Sequence, residues 1–282
     1  MKVLKRLLIF LIVLCIFALS ALFVNEKINE KVFLKEYTFS HSEIPKSFDG
    51  YKIMIISDLH EAPFKKQICD RIEASQPDLI AFTGDMVQLP GNSPKVAMEI
   101  AENFKDRIPM YVISGNHERQ CGSYNDVMGM LWGAGAVPLE NDSVELKSGD
   151  ESILLIGVKD PESDNVSEEK IEKMKEAIKE ELPDGPCFSV LLSHRADLFP
   201  DLKGTGPDLI LSGHIHGGIV RLPYVGGVFG QSEKFPKYDY GLFTEDNCSM
   251  IISGGCDKNP EKKRYFNPPE VVLVTLKGEN YE

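Results

Sequence analysis

The chain has 282 residues, 43% of them hydrophobic, and a formal net charge of -12. That length and apolar content suffice for one large domain or two small ones with a real core, and they exclude a disordered chain. The acidic balance excludes a protein that holds nucleic acid by neutralising phosphates with a basic face, so no specific nucleic-acid binding is expected.

After Lys2, Lys5 and Arg6 comes an unbroken apolar run from Leu7 to Val24. It reaches the lower limit for a bilayer-spanning helix and predicts one N-terminal transmembrane helix, with residues 1–24 as a membrane anchor or uncleaved signal. The hydrophobic region of a cleaved signal is shorter, about 7 to 15 residues, although Ala18-Leu19-Ser20 offers a small-x-small cleavage pattern. The charged stretch from Asn25 to Glu36 reads as a juxtamembrane linker. Residues 25–50 would hold that linker, a first strand and a turn at Ser47-Phe48-Asp49-Gly50, and residues 51–282 the main domain. Lys27, Lys31 and Lys35 follow the run about as densely as basic residues precede it. An N-terminal-in arrangement would place the main domain outside the cytoplasm.

Short apolar runs then recur at Ile53 to Ile56, Leu79 to Phe82, Met110 to Ile113, Ile153 to Ile156, Phe188 to Leu192, Leu209 to Leu211, Met250 to Ile252 and Val271 to Val274. Their length and β-branched content predict buried strands. Helical spacing separates several of them, as in Val96, Ile100 and Phe104, or Ile171, Met174 and Ile178. The alternation predicts an α/β fold with sheet packed between helices.

Five of these runs end in polar residues of one kind. They lead into Asp58-Leu59-His60, Gly84-Asp85, Gly115-Asn116-His117-Glu118, His194, and Gly213-His214-Ile215-His216. Ligands of α/β sheets bind beyond the carboxyl ends of the strands, so these turns should converge. Five of the chain's six histidines fall in this set, and only His41 lies outside it. Carboxylate, carboxamide and imidazole together suit Zn²⁺, Mn²⁺ or Fe better than Ca²⁺ or Mg²⁺. Seven ligand candidates exceed the needs of one ion and point to two divalent metal ions sharing a bridging carboxylate. Such a pair, about 3.5 to 4 Å apart, generates hydroxide and neutralises the attacking and leaving oxygens of a phosphoryl centre.

In this order the motifs resemble those of the calcineurin-like metallophosphoesterase superfamily: Asp-x-His, Gly-Asp, Gly-Asn-His-Asp/Glu, a later His, and Gly-His-x-His. The resemblance covers the chain from about Lys52 to the end. The membrane-anchored bacterial branch is the most similar, through the apolar leader, Arg221-Leu222-Pro223, the run Lys237 to Phe243, and Asn267-Pro268-Pro269-Glu270. The resemblance implies two packed β-sheets flanked by helices, a four-layer αββα sandwich. It implies that Asp58, His60 and His216 hold one ion, that Asn116, His194 and His214 hold the other, and that Asp85 bridges them. His117 would be no ligand but the catalytic histidine, facing the leaving group. Ile215 and Ile219 depart from the usual pattern, as does the segment Gly254 to Lys258.

The implied function is metal-dependent hydrolysis of a phosphodiester, pyrophosphate or monoester by metal-bound hydroxide, with a phosphorylated small molecule or lipid of the cell envelope as substrate. A nucleotide or protein phosphatase, or a metal-bound scaffold without turnover, are the alternatives. Arg119 and Arg195 follow site histidines and are candidates for contacting substrate phosphate. Among the cysteines, Cys69 and Cys187 read as small hydrophobes, and Cys248 with Cys256 as a candidate bridge across a hairpin.

Overall fold

The computed structural model describes residues 2–162, 166–231, 233–258 and 263–279. Helix α1 (Lys2–Ile28) precedes β1 (Phe33–His41), β2 (Lys52–Ile56), α2 (Lys65–Ser75), β3 (Leu79–Phe82), α3 (Lys95–Phe104), β4 (Met110–Val112), α4 (Asn116–Gln120), α5 (Tyr124–Gly133) and β5 (Ala136–Pro138). The second half holds β6 (Asp142–Ser148), β7 (Glu151–Gly157), α6 (Glu168–Glu181), β8 (Ser189–Arg195), α7 (Phe199–Leu202), β9 (Leu209–Gly213), the ribbon β10 (Arg221–Leu222) and β11 (Gly226–Gly227), β12 (Gly241–Glu245), β13 (Cys248–Ile252) and β14 (Glu270–Gly278).

The strands form two six-stranded sheets, ordered β1-β14-β2-β3-β4-β5 and β12-β13-β9-β8-β7-β6. β2 to β5 run parallel, as do β7, β8, β9 and β13, so within each set the carboxyl ends share one edge. β14 pairs antiparallel with β2 and parallel with β1, placing the end of the chain inside the first sheet.

Period-two alternation sorts the apolar side chains into layers. Ile53, Ile55, Leu79 and Ala81 face Val190, Leu192, Leu209 and Leu211 across the space between the sheets. Met54, Ile56, Ile80 and Phe82 point the other way, against Ile68 and Ile72 of α2, Ile100 and Phe104 of α3, and Leu131 of α5. On the far face of the second sheet, Leu191, Ile210 and Met250 meet Met174 and Ile178 of α6 and Phe199 and Leu202 of α7. The layers are therefore helix, sheet, sheet, helix. α6 starts where Ser167 Oγ accepts from Lys170 N, with Glu168 and Glu169 favourably placed in its first turn.

Two readings of the sequence require correction. The expected linker from Asn25 to Glu36 is shorter than that: α1 continues to Ile28 and Asn25 is buried, while the expected first strand is β1 from Phe33, held along nine residues by its parallel partner β14. Cys248 and Cys256 are both free thiols. β13 begins at Cys248 and ends four residues before Cys256, and a five-residue strand alone spans roughly 13 Å, about twice the Cα separation a disulfide bridges.

Candidate metal centre

The five polar turns meet where the carboxyl edges of β2, β3 and β4 face those of β8 and β9. β8 carries a register irregularity between Leu192 and Arg195, which turns His194 toward the other sheet. Asp58, His60, Asp85, His214 and His216 all have positive φ, between 44° and 72°. L residues in that region cost on the order of 1–3 kcal/mol each and cluster at functional sites. Gly84, with φ of 92°, has no room for a side chain: a Cβ would stand 2.6 Å from Gly115 N and 2.7 Å from His194 Nδ1. That close approach lets the Asp85 turn pack directly on the Asn116 turn.

Hydrogen bonds from outside the cluster fix which ring atom each histidine turns inward. His60 Nδ1 donates to Val87 O at 3.1 Å and His194 Nδ1 to Thr83 O at 2.8 Å, since a carbonyl only accepts. His216 Nδ1 donates to Asp257 Oδ1 at 3.1 Å. Each therefore presents an Nε2 lone pair to the centre, the arrangement that outer partners impose on ligating imidazoles.

The inward donors are closely spaced. Asp85 Oδ2 lies 3.5 Å from His194 Nε2 and 3.6 Å from His60 Nε2, and Asp58 Oδ1 lies 3.5 Å from His216 Nε2. His194 Nε2 is 3.3 Å from Asn116 Oδ1 and 3.2 Å from His214 Nδ1. Two donors held about 2.0–2.2 Å from one ion stand roughly 3 to 3.6 Å apart at common coordination angles. The donor set fits divalent ions by chemistry and by spacing. Asp58, His60 and His216 form one group, and Asp85, His194 and His214 a second. His60, Asp85 and His117 also lie together, but His117 Nε2 is 3.9 Å from Asp85 Oδ2, farther than the other imidazoles.

Burial pushes His60 down to about 4. Burial would lower His194 as well, but the Asp85 carboxylate outweighs it and holds that ring up at about 10.

Glu118 is the residue whose part in the site was not foreseen. It is fully buried, and its carboxylate accepts from Asp85 N at 2.8 Å, Met86 N at 2.6 Å, Val87 N at 3.0 Å and Gly115 N at 2.7 Å. The whole Asp85 turn hangs on it. Burial, with the Asp85 charge adding, pushes it up to about 7.

A cavity of about 60 Å³ opens over the donors, lined by His60, Gln88, Asn116, His117, His216 and Arg264 among others. Neither candidate phosphate-binding arginine lines it. Arg195 is buried behind the site, donating to Asp160 at 2.8 Å and lying 3.4 Å from His214 Nε2, so it braces a ligand candidate and does not meet substrate. Arg119 is turned away, paired with Glu162 at 2.9 Å and laid over Tyr124. The arginine at the mouth is Arg264, which is bonded to Asp257 and to Gly254 O at 2.7 Å.

The model of calcineurin-like phosphoesterases matches residues 51–218, the span from β2 to the second histidine of Gly-His-x-His. The metallophosphoesterase YkuE of Bacillus subtilis is 27% identical over 265 residues, covering 87% of this chain and 85% of that one. The phosphodiesterase YaeI of Escherichia coli is 28% identical, covering 68% of this chain and 70% of its own. A transmembrane protein with a metallophosphoesterase domain from Bos taurus is 27% identical over 62% of this chain and 42% of its own. The chain belongs to the calcineurin-like phosphoesterase family, whose members hydrolyse phosphoesters with divalent metals.

Proposed function

We propose that this protein is a dinuclear-metal phosphodiesterase held at a membrane by α1, with its catalytic domain outside the cytoplasm and a lipid or envelope phosphate ester as substrate. The observation that carries the reading is Asp85: its Oδ2 faces imidazoles from both donor groups, His60 and His194, as a bridging carboxylate must. Asp58, His60 and His216 would hold one ion, and Asn116, His194 and His214 the other. Bound there, the ions would supply a nucleophile at neutral pH and neutralise charge on the phosphoryl oxygens.

The chain's own residues supply the rest. Leu89 N donates to His117 Nδ1 at 3.4 Å, which leaves a proton for Nε2, the nitrogen 3.9 Å from Asp85 Oδ2, in a residue that lines the cavity. A proton so placed can pass to the leaving oxygen as the ester bond breaks. Arg264 at the mouth presents a cation to a phosphate oxygen. The similarity to the phosphodiesterase YaeI favours a diester over a monoester. α1 is long and apolar enough to cross a bilayer, and the extracytoplasmic placement takes Lys2, Lys5 and Arg6 before the apolar run as the cytoplasmic flank.

Full-length protein in detergent, loaded with Mn²⁺, should cleave bis-p-nitrophenyl phosphate faster than p-nitrophenyl phosphate. Metal-replete protein inert on both would favour the scaffold reading, and cleavage of the monoester alone a phosphatase.

A further inference from the structure

We propose that the groove between α1 and residues 266–268 holds an acyl chain of the substrate, so that the centre hydrolyses phosphate esters of amphiphiles taken from the bilayer around α1. The inference rests on the phosphoesterase reading above and on α1 spanning a membrane.

α1 is tied to the domain at a defined depth. Asn25 is buried, its Nδ2 donates to Arg264 O at 2.9 Å, and its Oδ1 accepts from Phe266 N at 2.9 Å. Asn29 Nδ2 donates to the same Arg264 carbonyl at 2.7 Å, and Lys263 pairs with Glu26 at 3.0 Å. At a rise of 1.5 Å per residue the run from Leu7 to Val24 covers about 27 Å, close to the thickness of a bilayer's hydrocarbon core. The domain therefore meets the helix at the membrane boundary.

A cavity of about 610 Å³ opens at that junction, with Phe17, Ala21 and Val24 on the helix wall and Phe33, Phe266 and Pro268 on the domain wall. Phe17 precedes Val24 by seven residues and lies roughly 10 Å inside the boundary. An apolar groove at that depth opens to lipid and not to water, and hydrocarbon is what fills it.

Beside the end of α1 lies a second cavity of about 410 Å³, lined by Glu26, Asn29, Asp257, Lys258, Lys263 and Arg264, in which Lys263 pairs with Glu26, Arg264 with Asp257, and Lys258 leaves one cation in excess. It shares Arg264 and Asp257 with the cavity over the metal donors. An apolar groove and a polar cavity with one cation in excess thus flank the end of α1, and the polar one adjoins the metal-binding candidates. A phosphodiester with a long chain has a part for each: hydrocarbon for the groove, an anionic oxygen for the excess cation Lys258, and the reacting phosphorus for the centre. Hydrolysis needs only water as co-reactant: its hydroxyl joins phosphorus, and its proton leaves with the departing oxygen. A soluble nucleotide has nothing to place in the first compartment.

The test uses full-length protein in nanodiscs with Mn²⁺ and two chromogenic diesters, hexadecyl and ethyl p-nitrophenyl phosphate. The hexadecyl ester should show a kcat/KM higher by about ten-fold or more, the effect of burying only two or three methylenes. Ala21→Trp and Val24→Trp each fill the groove from the helix side, where the fold of the domain is not at stake. Each should remove the advantage while ethyl ester turnover is unchanged. Equal kcat/KM for the two esters, or an advantage that persists in Ala21→Trp because it comes from partitioning into the nanodisc, would overturn the acyl site. Activity on neither ester would instead overturn the phosphoesterase reading.

Discussion

His117 differs from the seven donors around it in what its outer partner does. His60 and His194 each spend Nδ1 as a donor to a carbonyl and turn a lone pair inward, whereas His117 Nδ1 accepts and its Nε2 keeps the proton. His117→Ala should therefore lower kcat by about 10² to 10⁴ while metal content, measured by mass spectrometry of the purified protein, stays at the wild-type value. Equal losses of metal and turnover would make it a ligand. Glu118→Gln exchanges two acceptor oxygens for one and sets an amide donor against backbone donors. It should destabilise the fold by about 1–3 kcal/mol in urea unfolding and loosen the Asp85 turn enough to reduce metal content. That these residues converge was legible in the sequence because each turn follows an apolar run, and a strand's end is where a parallel sheet presents its ligands. Glu118 had a readable signal too, an acid three residues after Gly115, the spacing of a helix-start box. Arg264 had none, since a run of three cations from Lys262 reads as solvated surface. That Arg119 and Arg195 lie outside the cavity lining was not legible, because adjacency to a histidine says nothing about direction, and β8 is buried on both faces.

At the scale of elements, the apolar runs located eight strands to within a few residues but not the edge strands β5, β6 and β12, which lack such runs, and alternation told which side chains share a face. The assignment to two sheets was not legible from those runs, because each sheet's parallel core has the same apolar signature. Nor was the insertion of β14 between β1 and β2, a pairing across more than two hundred residues whose only local cue is another apolar run. Leu192 sits in the layer between the sheets with no exposure. Leu192→Ala should cost about 2–5 kcal/mol, read from urea unfolding of the metal-loaded protein, and a loss below about 1 kcal/mol would mean that the two sheets do not pack there. The β12–β13 hairpin carries an acid-sensitive contact. Glu245 accepts from Lys237 Nζ at 2.7 Å, Tyr238 Oη at 2.8 Å and Lys203 Nζ at 3.0 Å, and the two lysines and the tyrosine hold it down at about 2. A carboxyl lowered from 4.5 contributes its stability above that pH and loses it as pH falls toward 2. The stability difference between wild type and Glu245→Gln should therefore be constant above about pH 5 and vanish near pH 2 in circular-dichroism titrations.

At the scale of the whole molecule, one short segment serves two ends. Residues 264–267 receive the terminus of α1 through Asn25 and Asn29, and they reach the metal donors through Arg264, bonded to Asp257, and through Asn267 Nδ2, which donates to His216 O at 2.6 Å. The apolar leader was legible as a span, but its last turns read as linker because their polar residues could not be matched to partners 235 or more positions away. Metal and fold are linked as well. At a free ion concentration of about 100 times Kd, one site adds roughly 2.7 kcal/mol to stability, so chelation should lower Tm and readdition restore it.

The dinuclear centre is tested most directly by metal stoichiometry: full-length protein titrated with Mn²⁺, with bound metal counted per chain as phosphodiester turnover is followed. Two ions per chain are expected in the wild type, with turnover rising to its limit only as the second binds. Asp85→Asn should lower the count to one or none. Full turnover at a single equivalent, or an unchanged count of two in Asp85→Asn, would contradict a centre bridged by Asp85.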